Sequence, residues 1–267
     1  MNTLCVEIAG KSYRAATDSA CDISIPIRFN ADQLQAYGAP AAHADVYCAD
    51  GFIGDVNQGG SCNCQRYHLT PHCNGTHTEC IGHLTQELIG VNTLVRESLM
   101  LARLITVTPI TVSISEHETD LLISLQCLQT QLSATHRPAA SAVIVRTLPN
   151  SDNKLTRNYD MGSSPAYFEP AALAWLAETG VEHLLVDLPS VDRMNDGGRL
   201  LAHRAFWGMP AGTTHATHAT RPNATITELI YVPEQIPDGL YLLSLQVAPF
   251  VADAAPSRPL LYPLLPT

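Results

Sequence analysis

The sequence predicts an α/β chain folded as one domain, with a central mixed β-sheet flanked by helices, and three stretches carry that reading. Ala142-Val143-Ile144-Val145-Arg146-Thr147 is a short apolar run of the kind buried inside a sheet. Pro170 to Gly180 is the clearest helix, with Pro suited to the first turn and Gly to the position where a helix stops. Val181 to Asp187 then returns as a second apolar strand, so helix, turn and strand make the αβ half of a β-α-β unit. No internal repeat or linker-like block divides the 267 residues.

The other elements follow in order. Residues 1–19 carry no usable pattern. Asp22-Ile23-Ser24-Ile25-Pro26-Ile27 alternates polar and apolar side chains like a half-buried strand, and Pro26 places it at an edge or a strand end. Residues 30–50 read as irregular and Gly51 to Gly60 as turns, followed by a strand over Ser61 to Leu69. Residues 84–104 have roughly helical spacing, interrupted by Gly90 and Asn92. Ile105 to Thr108 and Ile110 to Ile114 are β-branched strands split by Pro109. Residues 116–132 read as a helix on which His117 is solvated, and 149–165 as a polar loop. Leu240 to Val247 is a strand that closes a sheet, and the Pro-rich tail after Pro249 is extended.

Composition narrows the function. With 46% hydrophobic and 15% charged residues the chain can bury a substantial core. A net charge of −10 argues against a nucleic-acid partner, which calls for a basic patch. The N-terminus lacks the basic and apolar regions of a signal peptide, and no apolar run approaches a membrane span. Eight cysteines in a chain of this length are not a disulfide scaffold, so a reducing cytoplasm is expected.

The chemistry concentrates in Pro71-His72-Cys73-Asn74-Gly75-Thr76-His77-Thr78-Glu79-Cys80-Ile81-Gly82-His83. Cys73, His77, Glu79 and His83 are potential ligands or acid-base groups. Alternate strand residues share a face, so His77 and Glu79 would project together, and a bend at Gly75 would return Cys73 toward them. Thiolate, imidazole and carboxylate together suit zinc. Cys62-x-Cys64 lacks the partner pair of a structural zinc site and reads as two small, partly buried thiols.

This stretch resembles the signature of the cyclase family of metal-dependent hydrolases, which includes bacterial kynurenine formamidase and isatin hydrolases: His-x-Gly-Thr-His-x-Asp-x-Pro-x-His. Gly75, Thr76, His77 and His83 match, while Cys73, Glu79 and Ile81 stand where the family has His, Asp and Pro. Asp22 to Ile27, the Arg146-Thr147 strand end, Asp187 to Asp192 and Ala202-His203 resemble further family segments. The resemblance runs from about residue 20 to 250 and implies a swivelling β/β/α-type fold. It implies a metal centre of Cys73, His77, Glu79, His203 and Glu228 with His83 as the acid-base residue. Glu228 lies 25 residues after His203, farther than the family pattern. The extra residues include Thr214 to Thr220, whose His215 and His218 read as a solvated loop rather than as ligands.

The implied activity is zinc-dependent hydrolysis of an amide-type C–N bond, arylformamidase-like, by a metal-activated hydroxide on a small amide or formamide substrate. One or two ions fit, and the Cys73 thiolate favours zinc over manganese. The resemblance also implies a homo-oligomer, specifically a homodimer. A lactam or ester hydrolase, and a non-catalytic metal- or ligand-binding protein on the same fold, are the other readings. Asp187 and Asp192 read as turn and cap residues at a strand end.

Overall fold

The computed structural model describes residues 3–132, 140–160, 162 and 164–267; two positions of the expected 149–165 loop, Met161 and Ser163, lie outside the described residues. In chain order, the elements that position the site begin with β1 (Thr3–Ile8), β2 (Lys11–Ala16), the short helix α1 (Pro71–Asn74), β3 (His77–Cys80) and β4 (Met100–Val107). There follow α2 (Leu125–Gln131), β5 (Ala142–Thr147), α3 (Pro170–Glu178), β6 (His183–Val186) and α4 (Leu201–Trp207). β7 (Thr225–Glu228), β8 (Gly239–Val247) and β9 (Ala254–Pro266) complete the set.

The central mixed sheet is present, and it closes on itself. Its order is β9-β8-β4-β5-β6-β7-β3, and β9 pairs back onto β3. Strands β4, β5, β6 and β7 run parallel to one another. The contacts β4–β8, β8–β9, β9–β3 and β3–β7 are antiparallel. Closure depends on the 13-residue β9, whose Ala254–Pro256 section pairs with β3 and whose middle pairs with β8. Its last residues, Leu264–Pro266, reach β2. The extended tail expected from its prolines is therefore a paired strand.

Side-chain alternation gives the closed sheet two faces. Met100, Ala102, Leu104, Ala142, Ile144, Leu185, Leu243 and Leu245 pack together on one. Ile105, Val107, Val143, Val145, Leu184, Val186 and Ile226 face the other way and pack under the apolar sides of α2, α3 and α4. Helix α3 starts with Pro170 at its first position, and Gly180 just beyond it has φ +87°, in agreement with the sequence reading.

Four expectations change. Residues 116–132 are not one helix. Thr119–Ile123 is a strand paired with Ile110–Ser113, and Ser124 then accepts a hydrogen bond from the Cys127 N–H to cap α2. Cross-strand pairing overrides local propensity there. Residues 84–104 hold no α-helix: the 3₁₀ turn Ile81–Leu84 ends as the stretch begins, Val91–Thr93 forms another, and from Met100 the chain is strand β4. The unpatterned N-terminus is a hairpin, turning at Ala9 (φ +49°) and Gly10 (φ +75°), and its largely exposed side chains left no hydrophobic signal. Cys62 and Cys64 are exposed rather than partly buried. No described helix is long and apolar enough to cross a membrane.

Candidate metal centre

The centre forms where the C-terminal end of β7 meets the N-terminal end of the antiparallel β3. Glu228 lies opposite His77 and Ile226 opposite Glu79, so these four side chains share one face. The opposite face is pinned by a 2.8 Å hydrogen bond between Thr78 and Thr227. Because Ile226 packs toward the helices, His77, Glu79 and Glu228 face that layer too, where α4 presents His203.

The Gly-Thr pair of the motif holds this edge in place. Gly75 is extended (φ 168°), and a Cβ there would lie 2.8 Å from Ile27 and 3.0 Å from the Ile25 carbonyl oxygen. Its role is close approach rather than a bend. The Thr76 hydroxyl accepts from the Ile25 N–H at 2.7 Å and donates to the Leu229 carbonyl. The segment 22–27 therefore packs directly on the metal-ligand stretch.

The structure turns the neighbouring Cys73 and His72 in different directions. Pro71 starts α1 as a helical turn, so neighbouring side chains diverge by about a quarter turn. Cys73 consequently turns into an apolar cluster with Ile25, Leu34, Ala36 and Leu229, and burial followed by the Glu228 charge pushes its thiol up to about 11. His72 takes the place expected for Cys73: its Nδ1 lies 3.2 Å from Glu79 Oε2. Two trios of ligand-capable atoms share Glu79, one with His72 and His77 and one with His83 and His203. Cys73 belongs to no such group among the described residues.

Each inner imidazole is backed by an outer acceptor. His72 Nε2 donates to Asp253 at 3.0 Å, His203 Nδ1 to Asp192 at 2.6 Å, and His77 Nδ1 to the Gly75 carbonyl at 3.1 Å. Their other nitrogens turn inward. His203 Nε2 lies 2.8 Å from Glu79 and 3.6 Å from Glu228, and His77 Nε2 lies 3.6 Å from Glu228. Glu228 is itself oriented by the Val191 N–H at 2.9 Å. Asp192 also accepts the Ala202 and His203 N–H groups, capping α4, so one carboxylate fixes both the helix start and the ring. This refines the cap reading of Asp192. Asp187 instead ties the ends of β5 and β6 together through Thr147 and a 2.7 Å ion pair with buried Lys154.

The electrostatics call for a cation. Burial opposes charge on both Glu79 and His203, yet their mutual attraction holds Glu79 well below and His203 well above their ordinary ranges. His72 and His203 each face carboxylates with both ring nitrogens, which requires positive charge: a second ring proton or a metal ion. His77 Nε2 and Glu79 Oε2 are buried without a hydrogen-bond partner in the structure. Imidazoles with outer carbonyl or carboxylate partners, converging on buried carboxylates, are the donor set of a metal centre, and the residues present fit one. Substituting Asp192 by asparagine should weaken metal affinity by about 10–100-fold, the usual cost of losing such an outer partner, measured by competition with a chelating dye.

The metal-stripped protein should show a distinct pH dependence. Burial disfavours a charged His72, but Asp253 and Glu79 overcome it and push the ring up to about 10. A raised folded-state value stabilises fully below the unfolded value of about 6.5 and progressively less as pH rises toward the folded one. Thermal melts of chelator-treated protein should therefore fall between pH 7 and 10. A flat profile would show that His72 is not held charged.

A cavity of about 230 Å³ opens beside the cluster, lined by Tyr37, His83, Ser190, Arg193, Met194 and Leu200 among others. His83 has 28% of its side chain exposed, with Nε2 4.0 Å from Glu79 and Nδ1 3.4 Å from Asp253. Burial and then the Glu228 charge push the Tyr37 hydroxyl above the tyrosine range; although 37% of the residue is exposed, this end is sheltered and stays a neutral donor. Tyr37, Leu200 and Leu229 all have left-handed backbone (φ +57°, +49° and +57°). They line the cavity or adjoin His203 and Glu228, a clustering of strain typical of functional sites.

The fold thus brings His77, Glu79, His83, His203 and Glu228 together and sets Cys73 aside. Sequence reasoning missed His72, Asp253 and Tyr37. Only His72 had a signal, the Pro71 that starts a helical turn. His215 pairs with Glu87 at 3.0 Å on the surface, so the loop reading of that tract holds for it.

A closed mixed sheet carrying buried imidazoles and carboxylates at its strand ends defines a metal-binding α/β protein. The family model for putative cyclases matches residues 21–193, and the chain belongs to the cyclase family of metal-dependent hydrolases. Its fold is similar to that of a predicted metal-dependent hydrolase from Bacillus stearothermophilus, at 15% identity and TM-score 0.57, covering 91% of this chain and 98% of that one. Isatin hydrolase A from Labrenzia aggregata, bound to benzyl benzoate, is similar at 13% identity and TM-score 0.63, covering 93% and 94%. An isatin hydrolase bound to the product analogue thioisatinate is similar at 15% identity and TM-score 0.57, covering 93% of each. No curated protein matches in sequence.

Proposed function

We propose that this protein is a zinc-dependent hydrolase of an amide-type C–N bond in a small aryl formamide, of the arylformamidase kind. The observation that carries the reading is the convergence of His72, His77, Glu79, His203 and Glu228 beside a cavity whose wall includes the partly exposed His83. A bound ion would supply an activated water and polarise the carbonyl. His72, His77 and His203 would hold it together with Glu79 and Glu228, and Glu79, shared by both ligand trios, leaves room for a second ion. With Cys73 outside the centre, the case for zinc over manganese rests on three imidazoles rather than on a thiolate.

His83 does the proton work in this reading. Donation from Nδ1 to Asp253 leaves Nε2 facing the centre as an acceptor. From there it can take a proton from water and return it to the leaving nitrogen. Tyr37, kept as an O–H donor, is positioned to hold the substrate oxygen.

The test is a hydrolysis screen over formanilides, lactams and aryl esters with metal analysis of each variant. His83→Ala should keep its metal and lose about 10²–10⁴-fold in turnover. Loss of metal would make His83 a ligand, as its place beside Glu79 and His203 allows. A lactam hydrolase is the second reading, favoured by the structural similarity to isatin hydrolases. Turnover of isatin but not of formanilide would select it.

A further inference from the structure

Away from the buried centre, one other group of ligand-capable side chains comes together among the described residues: His43, Asp45 and His68. Strands His43–Val46 and Gln65–His68 pair antiparallel with His43 directly opposite His68. Asp45, two residues along, shares their face. The two imidazoles stack at 4.3 Å with planes 3° apart, and His68 Nε2 lies 3.0 Å from Asp45 Oδ2. One donor atom from each residue falls within 4.8 Å of the others. Arg66 is the residue opposite Asp45 and the ordinary ion-pair partner at that position, yet the carboxylate turns to His68.

The mounting is fixed although the donors are exposed. The Asn30 side chain accepts the Ala44 N–H at 3.1 Å and donates to the Ala44 carbonyl at 2.9 Å. Gln33 does the same for Ala42, at 2.6 and 2.9 Å. The backbone on both sides of His43 is therefore clamped. Beside His68, Tyr67 packs against Phe29 with ring centroids 4.5 Å apart.

We infer that this ribbon is a second, surface site for a divalent first-row transition ion of the zinc or copper type, held by His43, Asp45 and His68 with its remaining positions open to water. Two imidazoles and a carboxylate match that class, whereas magnesium and calcium favour all-oxygen sites. Donor atoms around a tetrahedral ion at about 2.0–2.1 Å stand about 3.3 Å apart, so an ion would draw together donors that now lie within 4.8 Å and open the imidazole stack as these exposed side chains rotate. With the backbone around His43 already held, binding there has to order side chains and not main chain. Thr70, two residues beyond His68, opens α1, which carries His72. An ion here would brace the approach to the buried centre without belonging to it.

The test is equilibrium dialysis of the purified protein against a series of zinc chloride concentrations, with elemental analysis, and cobalt chloride titration followed by visible absorption. One saturable equivalent is expected beyond whatever the buried centre retains. His43→Ala and His68→Ala should each weaken that equivalent by tenfold or more while leaving tightly held metal and melting temperature unchanged. Arg66→Ala, a folding control on the same face, should retain it. Glu79→Gln, altered only at the buried centre, should retain it too, which separates this site from the proposed enzymatic one. No additional equivalent in the wild type would overturn the inference, and so would an equivalent that persists in both histidine variants. Either result would make the cluster a stacked pair with an ion pair and nothing more.

Discussion

Substitution of His72 by alanine should remove most of one metal ion per chain, while Cys73→Ser should leave metal content close to the wild type. The two positions are neighbours, so the contrast depends on which one the helical turn aims at Glu79. His72 Nδ1 stands 3.2 Å from Glu79 Oε2, and its far nitrogen is anchored by Asp253. The Cys73 thiol is held up to about 11 among apolar side chains, unlike the thiolate that metal binding requires. Removing an inner ligand costs more than the 10–100-fold typical of an outer partner, so the loss should be evident by elemental analysis after dialysis. Metal lost from Cys73→Ser and kept by His72→Ala would reverse the assignment and restore the alignment of Cys73 with the family histidine.

The larger effect is expected at Glu79. Glu79→Gln should abolish hydrolysis within detection and leave neither ion position fully ligated, because both trios use this carboxylate. It should also destabilise the metal-stripped protein. His203 is fully enclosed and held charged by Glu79, Asp192 and Glu228. Removing one partner from a buried ion pair typically costs about 3–5 kcal/mol, though Asp192 and Glu228 remain to offset part of it. Denaturant unfolding of chelator-treated wild type and variant measures the difference. A variant with unchanged stability and full metal loading would place the centre elsewhere.

Much of this site was legible because local sequence encodes local geometry. His77 and Glu79 alternate along a strand, and alternation alone puts them on one face. His203 and Glu228 were reached through the family resemblance, since nothing in their own spacing announces them. They meet His77 and Glu79 only because β7 pairs with β3 and α4 crosses above them. Asp253 had no signal at all. It precedes β9, and its contact with His72 spans 181 residues of chain.

The sequence by itself determined the α/β pattern, the helix from Pro170, the buried strands at 142–147 and 181–187, and the face shared by His77 and Glu79. Those depend on periodicities and end signals that extend over a few residues. Only the tertiary structure decided that the sheet closes, because closure needs β9 to reach both β8 and β3 at once. It also decided that His72 rather than Cys73 meets Glu79. A single helical turn at Pro71 rotates one of two adjacent side chains toward the carboxylate and the other into apolar packing, and no spacing rule distinguishes them until the turn has a partner to face.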